Sequence, residues 1–234
     1  MKNYITFAGM DSTEFNIGIS GSGTFDSPER DVEQVSIPGR NGDLLIDNKR
    51  FKNVTVTYPA FIASKFKGNF DGFRAFMLSK RGYQRLEDTY HPDEFRMAEY
   101  RGPIKPDVKV LNIAGEFDVE FNCKPQRWLK VGEIAIDFTA SGVINNPTLY
   151  EAKPLIRAYG TGTIAIGDNS ITVTTASGYT DIDCEIMEAY KDGTDCNSNI
   201  TLGSDEFPSL EPGDNTITIS GFSKVSIIPR WWTI

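Results

Sequence analysis

A single stretch of helical periodicity, set among short apolar runs and turns, most constrains what this chain can fold into. Residues 69–80 place four large apolar side chains on one helical face, namely Phe70, Phe73, Phe76 and Met77. Asn69 suits the start of this helix, and Gly82 suits the left-handed residue that follows its end. Because a lone amphipathic helix must bury its apolar stripe, we expect it to pack against a sheet. The chain is therefore predicted to be mainly β with one α-helix.

The second half of the chain has the spacing of a β-sandwich. After Pro147, apolar runs recur at intervals of about ten residues, a spacing typical of antiparallel sandwiches. These runs are Leu155–Tyr159, 163–166, 170–174, 180–187, 216–220 and 225–228. Turns rich in glycine, proline and asparagine separate them. We predict a C-terminal antiparallel β-sandwich without helices.

Strands are also predicted on both sides of the helix. Residues 54–58 form a β-branched run that we expect to end at Pro59, because proline cannot donate to a ladder of hydrogen bonds. Residues 116–123 alternate strictly in polarity. Phe117, Val119, Phe121 and Cys123 are expected to face a core, whereas the acidic and amide side chains between them face water.

The distribution of charge indicates two domains. The 234 residues carry a formal net charge of −8. Residues 1–142 have 19 basic and 20 acidic side chains, a net of −1, while residues 143–234 have 5 basic and 12 acidic side chains, a net of −7. We therefore predict one domain over 1–142 and a second over 143–234. The acidic balance argues against nucleic-acid binding, which needs clustered lysine and arginine.

A hairpin between residues 34 and 46 is predicted to project from the first domain. Its turn contains Asn41-Gly42, a dipeptide that tolerates positive φ at both central positions of a tight turn. The preceding segment, 20–33, is too polar to enter a core. Because the arm carries apolar side chains, we expect it to bind another surface that buries them. The candidate contact residues are Ile37, Pro38, Gly39, Arg40, Asn41, Gly42, Leu44, Leu45 and Ile46.

No arrangement of residues indicates catalysis, a cofactor or a metal. Three cysteines, at 123, 184 and 196, form no CxxC pair, and His91 is the single histidine. Residues 160–165 match the G-x-G-x-x-A pattern of dinucleotide-binding proteins, but continue as a strand instead of opening a helix. We expect no enzyme activity.

Alternating carboxylates in the second half allow two interpretations. Asp181, Asp183 and Glu185 share one face of a strand and offer oxygen ligands for Ca²⁺, or an acid and base for glycan chemistry. The commoner explanation is a face of the sheet that is exposed to water. No apolar run reaches the length of a membrane span, and the N-terminus lacks the apolar core of a signal peptide, so we expect cytosolic synthesis and no membrane partner.

Several segments, taken in order along the chain, resemble the distal tail (Dit) proteins of siphophages. In the first half these are IPGRNGD at 37–43, LEDTYHPDEFR at 86–96 and FNCKPQRWL at 121–129. In the second half they are Asn146-Pro147, PLIRAYG at 154–160, DIDCE at 181–185, FPSLEPGDN at 207–215 and PRWW at 229–232. Each motif is modest alone, but the ordered series covers nearly the whole chain.

The resemblance implies a specific architecture. An N-terminal β-sandwich or split barrel with one helix would form a hexameric ring, and a hairpin at about residues 24–47, the belt, would clasp the neighbouring subunit. The C-terminal domain would be a galectin-like β-sandwich. Arg40 then becomes a contact between subunits. The chain has no room for the long C-terminal insertions of some relatives, so it corresponds to a short form.

The same resemblance implies partners and a location. The ring would join the tail tube protein on one face and a tail-associated lysin, a fibre or a receptor-binding protein on the other. DNA would pass through the centre without specific binding. The protein would then reside at the distal end of the phage tail in the virion, after synthesis in the host cytoplasm. The sequence leaves open whether the ring belongs to a phage or to a related contractile device.

The alternative function is that of a carbohydrate-binding module. Trp231 and Trp232 offer aromatic rings on which a bacterial cell-wall glycan can stack, beside the acidic residues of the second domain. Because neighbouring residues on a strand face opposite sides, at most one of the two is a platform. A glycosidase is a more distant third, since it requires two buried carboxylates at catalytic separation.

Overall fold

The computed structural model describes residues 3–21 and 23–234, and the chain folds into two compact units. The first comprises Met1–Arg127 with Ile234, and the second comprises Trp128–Thr233. The boundary lies earlier than the step in charge near residue 142. Residues 128–142, assigned to the first domain from the sequence, belong to the second unit.

One antiparallel sheet forms the framework of the first unit. The described strands are β1 Ile5–Phe7, β2 Met10–Asp11, β3 Ile17–Ile19, β4 Arg30–Ser36, β5 Asp43–Phe51, β6 Val54–Ile62, β7 Gln84–Asp88, β8 Glu94–Glu99, β9 Asp107–Val110 and β10 Ala114–Leu129. The order in the main sheet is β2-β1-β7-β8-β10-β6-β3, and β9 also pairs with β10. β4 and β5 pair only with each other among the described strands.

Helix α1 covers this sheet and completes the core of the first unit. It runs from Phe66 to Ser79, so it begins three residues before the predicted start. Lys65 adopts a left-handed conformation at φ 51°, and Asn69 donates to the carbonyl oxygen of Ser64 instead of capping the helix. The buried residues of the helix are Phe66, Phe70, Phe73 and Met77. The prediction of a mainly β chain with one helix is confirmed across the described residues.

The long pairing of β6 with β10 forms the centre of the sheet. Phe117, Val119, Phe121 and Cys123 are buried, as their alternation predicts. β6 continues through Pro59, which was expected to end it, and Pro59 pairs with Asp118. The carbonyl oxygen of Pro59 accepts from the amide of Ser20, so the nitrogen of the proline faces the side where β3 has ended at Ile19. The missing N–H therefore falls at the end of the β3–β6 pairing and not inside a ladder.

Two facing sheets build the second unit, in which every residue from 128 to 233 is described. Its strands are β11 Ile136–Phe138, β12 Gly142–Asn146, β13 Leu155–Tyr159, β14 Gly162–Ile166, β15 Asn169–Val173, β16 Tyr179–Asp183, β17 Glu188–Lys191, β18 Thr194–Asp195, β19 Ile200–Leu202, β20 Gly213–Ser220, β21 Lys224–Ile228 and β22 Trp232–Thr233. One sheet has the order β11-β21-β13-β16-β17-β18, and the other has the order β12-β20-β14-β15-β19.

An isoleucine-rich core lies between these sheets. Ile156, Ile164, Ile171, Ile182, Ile217 and Ile227 are each fully buried. Ile156, Ile164, Ile171 and Ile217 alternate with more exposed residues along their strands, which is the pattern of an antiparallel sandwich. The six predicted strands are all present, although residues 184–187 form a turn. The strands β11, β12, β17, β18, β19 and β22 were not predicted, because each is too short for a clear alternation of polarity.

Candidate assembly surface

The predicted arm is a two-stranded sheet of its own, formed by β4 and β5. Its strands run to Phe51, beyond the predicted end, and begin at Arg30 instead of residue 24. Residues 43–50 are all exposed, as are 33–36 on the partner strand. A two-stranded hairpin is at best marginally stable alone in water, so such an arm gains stability from pairing with another surface. We use "the arm" for residues 30–51.

The tip of the arm is a loop of six residues, 37–42, and not the tight Asn-Gly turn that the sequence indicated. The amide of Arg40 donates to the carbonyl oxygen of Ile37 at 3.1 Å. Pro38 and Gly39 lie between them, and Gly39 has a φ of +79°. Proline followed by a glycine with positive φ is the signature of a type II turn. Asn41 is not in the left-handed region, whereas Gly42 is, at φ +80°.

The two faces of the arm differ in polarity. Val35 pairs with Leu44, and Glu33 pairs with Ile46. Because paired residues share a face and side chains alternate along a strand, Val35, Leu44 and Ile46 lie on one face together with Glu33. We call this the apolar face of the arm. They are 41%, 45% and 43% exposed. The opposite face is mostly polar, with Leu45 its exposed leucine.

Residues 23–25 precede the arm, and we call them the root of the arm. They pack against the turn that contains Tyr90 and His91. A Cβ on Gly23 would come within 3.1 Å of the Tyr90 ring, and Thr24 is buried. The ring of Phe25 meets the ring of His91 edge-on at 5.4 Å. Tyr90 also donates its hydroxyl to the carbonyl oxygen of Gly21. Because these contacts hold residues 23–25, the strands of the arm begin at Arg30 and not at residue 24.

Asp88 organises the turn on which the root lies. Its carboxylate accepts from the amides of Tyr90 and His91 at 2.9 and 2.8 Å. It also accepts from the hydroxyl of Tyr58 at 2.7 Å. Burial, reinforced by the negative charge of Asp88, raises the pKa of Tyr58 well above its ordinary value. His91, from the same motif, is thereby part of a structural turn.

The carboxylates of β16 are buried and paired, contrary to the expectation of a water-exposed face. Asp181 accepts from Arg157 on β13 at 2.6 and 2.8 Å. Asp183 accepts from Arg230 at 2.6 and 2.7 Å. Burial alone would raise the pKa of Asp183, but the hydrogen bonds and charge of Arg230 outweigh it and hold that pKa below its ordinary value. Bidentate pairing occupies the oxygens that a metal ion or a glycan would need.

The tryptophan pair does not form an exposed platform. Trp231 is only 4% exposed and belongs to the core of the second unit. Trp232 is half-buried, and its ring stacks on the ring of Tyr150 at 4.4 Å. Its indole N–H donates to the carbonyl oxygen of Glu151. As the sequence predicts, the two side chains have different environments, but Trp231 is not available to a sugar.

The remaining reactive groups have structural surroundings. Burial raises the pKa of the thiols of Cys123 and Cys184 to about 12, so both are protonated near neutral pH. Residues 162–166 form strand β14, which confirms that the G-x-G-x-x-A match does not open a helix. The described residues include no group of three or more His, Cys, Asp or Glu side chains arranged to hold a metal. No helix in the described ranges is long and apolar enough to cross a membrane.

Comparison with solved structures identifies the fold. The crystal structure of SPP1 Dit (gp 19.1) superposes with a TM-score of 0.81 over 100% of both chains, at 12% identity. The chain has the fold of a phage Dit protein. SPP1 Dit is known as a paradigm of the hub adsorption apparatus in phages that infect Gram-positive bacteria. The resemblance found in the sequence is confirmed at the level of this Dit fold.

Two structures of the phage P2 baseplate in its activated conformation are more distant. The one with Ca matches at a TM-score of 0.53 and 10% identity, and the one with Sr at 0.50 and 11%, each over 97% of both chains. No protein-family model and no curated protein matches the sequence. The similarity to SPP1 Dit is therefore a similarity of fold.

Sequence reasoning missed two groups of residues that the structure brings together. Arg157 and Arg230 neutralise carboxylates that lie 24 and 47 residues away along the chain. Arg96, Arg127 and Glu94 line one pocket with His91 in the first unit. A lone arginine within an apolar strand, as at 157 in β13, is the signal that points to such buried pairing.

Proposed function

We propose that this chain is a non-catalytic structural hub at the distal end of a phage tail. Six copies form a ring, in which the arm of each copy clasps the next. The ring joins the tail tube protein on one face and a tail-associated lysin, a fibre or a receptor-binding protein on the other. DNA passes through the central channel without specific binding. The protein is made in the host cytoplasm and resides in the virion.

The observation that carries this proposal is the isolated arm. Its apolar face exposes Val35, Leu44 and Ile46 within a hairpin that pairs with no other described strand of its own chain. Burying these side chains requires another surface. A closed ring uses the same two patches on every subunit, so one arm and one acceptor surface are sufficient.

The fold supports the same function. The chain matches SPP1 Dit, described as a hub protein, over the full length of both chains. In the proposal the first unit forms the ring, and the second unit is the galectin-like sandwich outside it. The clasping contacts come from the tip and second strand of the arm, namely Ile37, Pro38, Gly39, Arg40, Asn41, Gly42, Leu44, Leu45 and Ile46.

Charge and chemistry are consistent with a passive channel. A net charge of −8 disfavours tight binding of DNA, since affinity for phosphates grows with clustered lysine and arginine. The buried thiols are protonated, and Asp181 and Asp183 are held in ion pairs. These groups stabilise the fold, and in the proposal none takes part in a reaction.

Two adjacent leucines of β5 provide a matched test of the arm. Leu44→Asp places a charge on the apolar face, whereas Leu45→Asp places the same charge on the polar face. Both side chains are exposed, at 45% and 62%, so neither change should alter the melting temperature of the single chain. Burying an unpaired carboxylate in an interface costs more than about 1.4 kcal/mol, which is a tenfold loss of association.

Sedimentation of the two variants over a range of concentrations gives the answer. Both leucines belong to the proposed contact, so we expect both substitutions to weaken self-association. Leu44→Asp, on the apolar face, should weaken it at least about tenfold and by more than Leu45→Asp does. Equal assembly of Leu44→Asp and wild type would remove the arm from the interface and with it the proposed ring contact.

A further inference from the structure

A pocket beneath the root of the arm is lined by polar side chains that the proposed function does not use. Asp88, His91, Glu94, Arg96 and Arg127 surround it, together with Tyr58. His91 and Asp88 belong to the turn that carries the root, whereas Glu94 and Arg96 belong to β8. We call it the polar pocket.

Three atoms in this pocket are buried and accept or donate no hydrogen bond within the described residues. They are Nε2 of His91, Oε2 of Glu94 and Nη1 of Arg96. Arg96 is only 7% exposed, and no carboxylate of the described residues lies in ion-pair contact with it. Nη2 of Arg127 lies 2.6 Å from Oε2 of Glu94, so this oxygen has an ion-pair partner and keeps lone pairs for a further donor. Leaving a buried polar group without a partner typically costs about 1–3 kcal/mol.

The hydrogen-bonding roles of these atoms are determined by their neighbours. Nδ1 of His91 lies 3.1 Å from Oδ1 of Asp88, and an ionised carboxylate only accepts. In neutral His91 the proton is therefore on Nδ1, which leaves Nε2 as an acceptor. Oε2 of Glu94 is also an acceptor, and Nη1 of Arg96 is a donor. One donor and two acceptors complement a single water molecule, which accepts one bond and donates two.

Charge and size favour water over an ion. Arg96 and Arg127 supply two positive charges, and Asp88 and Glu94 supply two negative charges, so with neutral His91 the pocket has no net charge. An ion of either sign would unbalance it at a high cost in a buried setting. The pocket offers about 10 Å³ to a water-sized sphere, which corresponds to about one water molecule.

We propose that the polar pocket binds one ordered water, which accepts from Arg96 and donates to His91 and Glu94. The water links β8 to the turn that carries the ring of Phe25 and hence the root of the arm. This site is independent of the proposed function, because it lies within a single chain.

Crystallography of the full chain tests the site directly. Crystals are grown at pH 8 in sodium bromide, and data are collected at the bromine absorption edge. We expect one oxygen-sized density peak within about 3.2 Å of the three atoms and no anomalous signal there. Anomalous density in the pocket would establish an anion site instead, and direct contact between Arg96 and Glu94 would leave no place for water. Either result overturns the proposal.

A double-mutant cycle tests the link in solution. Arg96→Met and His91→Phe each remove one partner of the water, so their effects on the unfolding equilibrium constant at pH 8 should deviate from additivity by at least about threefold. Arg101→Met is the matched control, because the side chain of Arg101 is 70% exposed and pairs with Glu99 outside the pocket. Crossed with His91→Phe, it should be additive within about twofold. Additive behaviour of Arg96→Met and His91→Phe would contradict a shared water.

Discussion

At the scale of single residues, the pair formed by Asp183 and Arg230 makes a testable contribution to the second unit. Asp183 is 6% exposed and accepts two hydrogen bonds from the guanidinium. Replacing Asp183 by Asn leaves a largely buried cation without its counter-charge. Because Arg230 keeps some solvent contact, we expect a loss near the lower end for buried pairs, about 3 kcal/mol of unfolding free energy. Urea unfolding of the wild type and of Asp183→Asn at pH 7 measures this loss.

The pH dependence of the same pair has a defined sign. The pKa of Asp183 is lower in the folded chain than its ordinary value, so the folded state binds fewer protons and is stabilised above that value. The difference in unfolding free energy between the wild type and Asp183→Asn should have its maximum value at pH 7. It should shrink as the pH falls below the ordinary carboxyl pKa of about 4 and through the folded value. Asp205→Asn, the same exchange at an exposed position of the second unit, is the control and should show no comparable difference.

Gly162 is required by close packing of the backbone, not by a nucleotide. A Cβ at this position would lie 2.2 Å from the carbonyl oxygen of Ser220 and 2.9 Å from the amide nitrogen of Phe222. Gly162→Ala should therefore destabilise the chain by about 1–3 kcal/mol, as overpacking usually does. Gly68 lies in α1 with nothing near its Cβ position, so Gly68→Ala should stabilise by up to about 1 kcal/mol. Equal effects of the two substitutions in thermal unfolding would refute the packing argument.

Residue patterns predicted the buried side of β10 but misassigned the carboxylates of β16. Alternation reports which side chains share a face, and for Phe117 to Cys123 that face is apolar. Alternation does not report what lies on neighbouring strands. Arg157 and Arg230 come from distant parts of the sequence, so the burial of Asp181 and Asp183 was not readable from their own segment.

At the scale of elements, α1 provides a test of the first core. Phe73 is 2% exposed and contacts the rings of Phe15 and Phe117. Phe73→Ala should cost about 3–5 kcal/mol of unfolding free energy, because it removes transfer energy and leaves a cavity. Leu78, on the same helix, is 56% exposed, and Leu78→Ala should change the stability by less than about 0.5 kcal/mol. Similar losses in chemical denaturation would contradict the observed orientation of the helix.

The arm shows how far local sequence determines an element. Its existence and approximate position followed from two apolar runs around a turn. The turn type did not, because Pro38-Gly39 competes with Asn41-Gly42 and forms the hydrogen-bonded turn. The start of the arm was also misplaced, since Gly23 and Phe25 lie against Tyr90 and His91, which are distant in sequence.

At the scale of the whole molecule, the β-rich class and the division into two units were predictable, but the boundary was not. The step in charge reflects surface composition, whereas the units are defined by packing. β11 and β12 pair with β21 and β20, and both therefore belong to the second unit. The order of the motifs along the chain indicated the Dit resemblance. The backbone fold agrees with it, although the chain is only 12% identical to SPP1 Dit.

The mass of the wild-type assembly tests the central claim most directly. Native mass spectrometry of the purified chain, over a range of concentrations, should show a species of six times the 26.0 kDa chain mass, about 156 kDa. A ring closes at one size, so neither larger open polymers nor a ladder of sizes is expected. A chain that stays monomeric at every concentration, with or without its tail partners, would contradict the ring-forming hub.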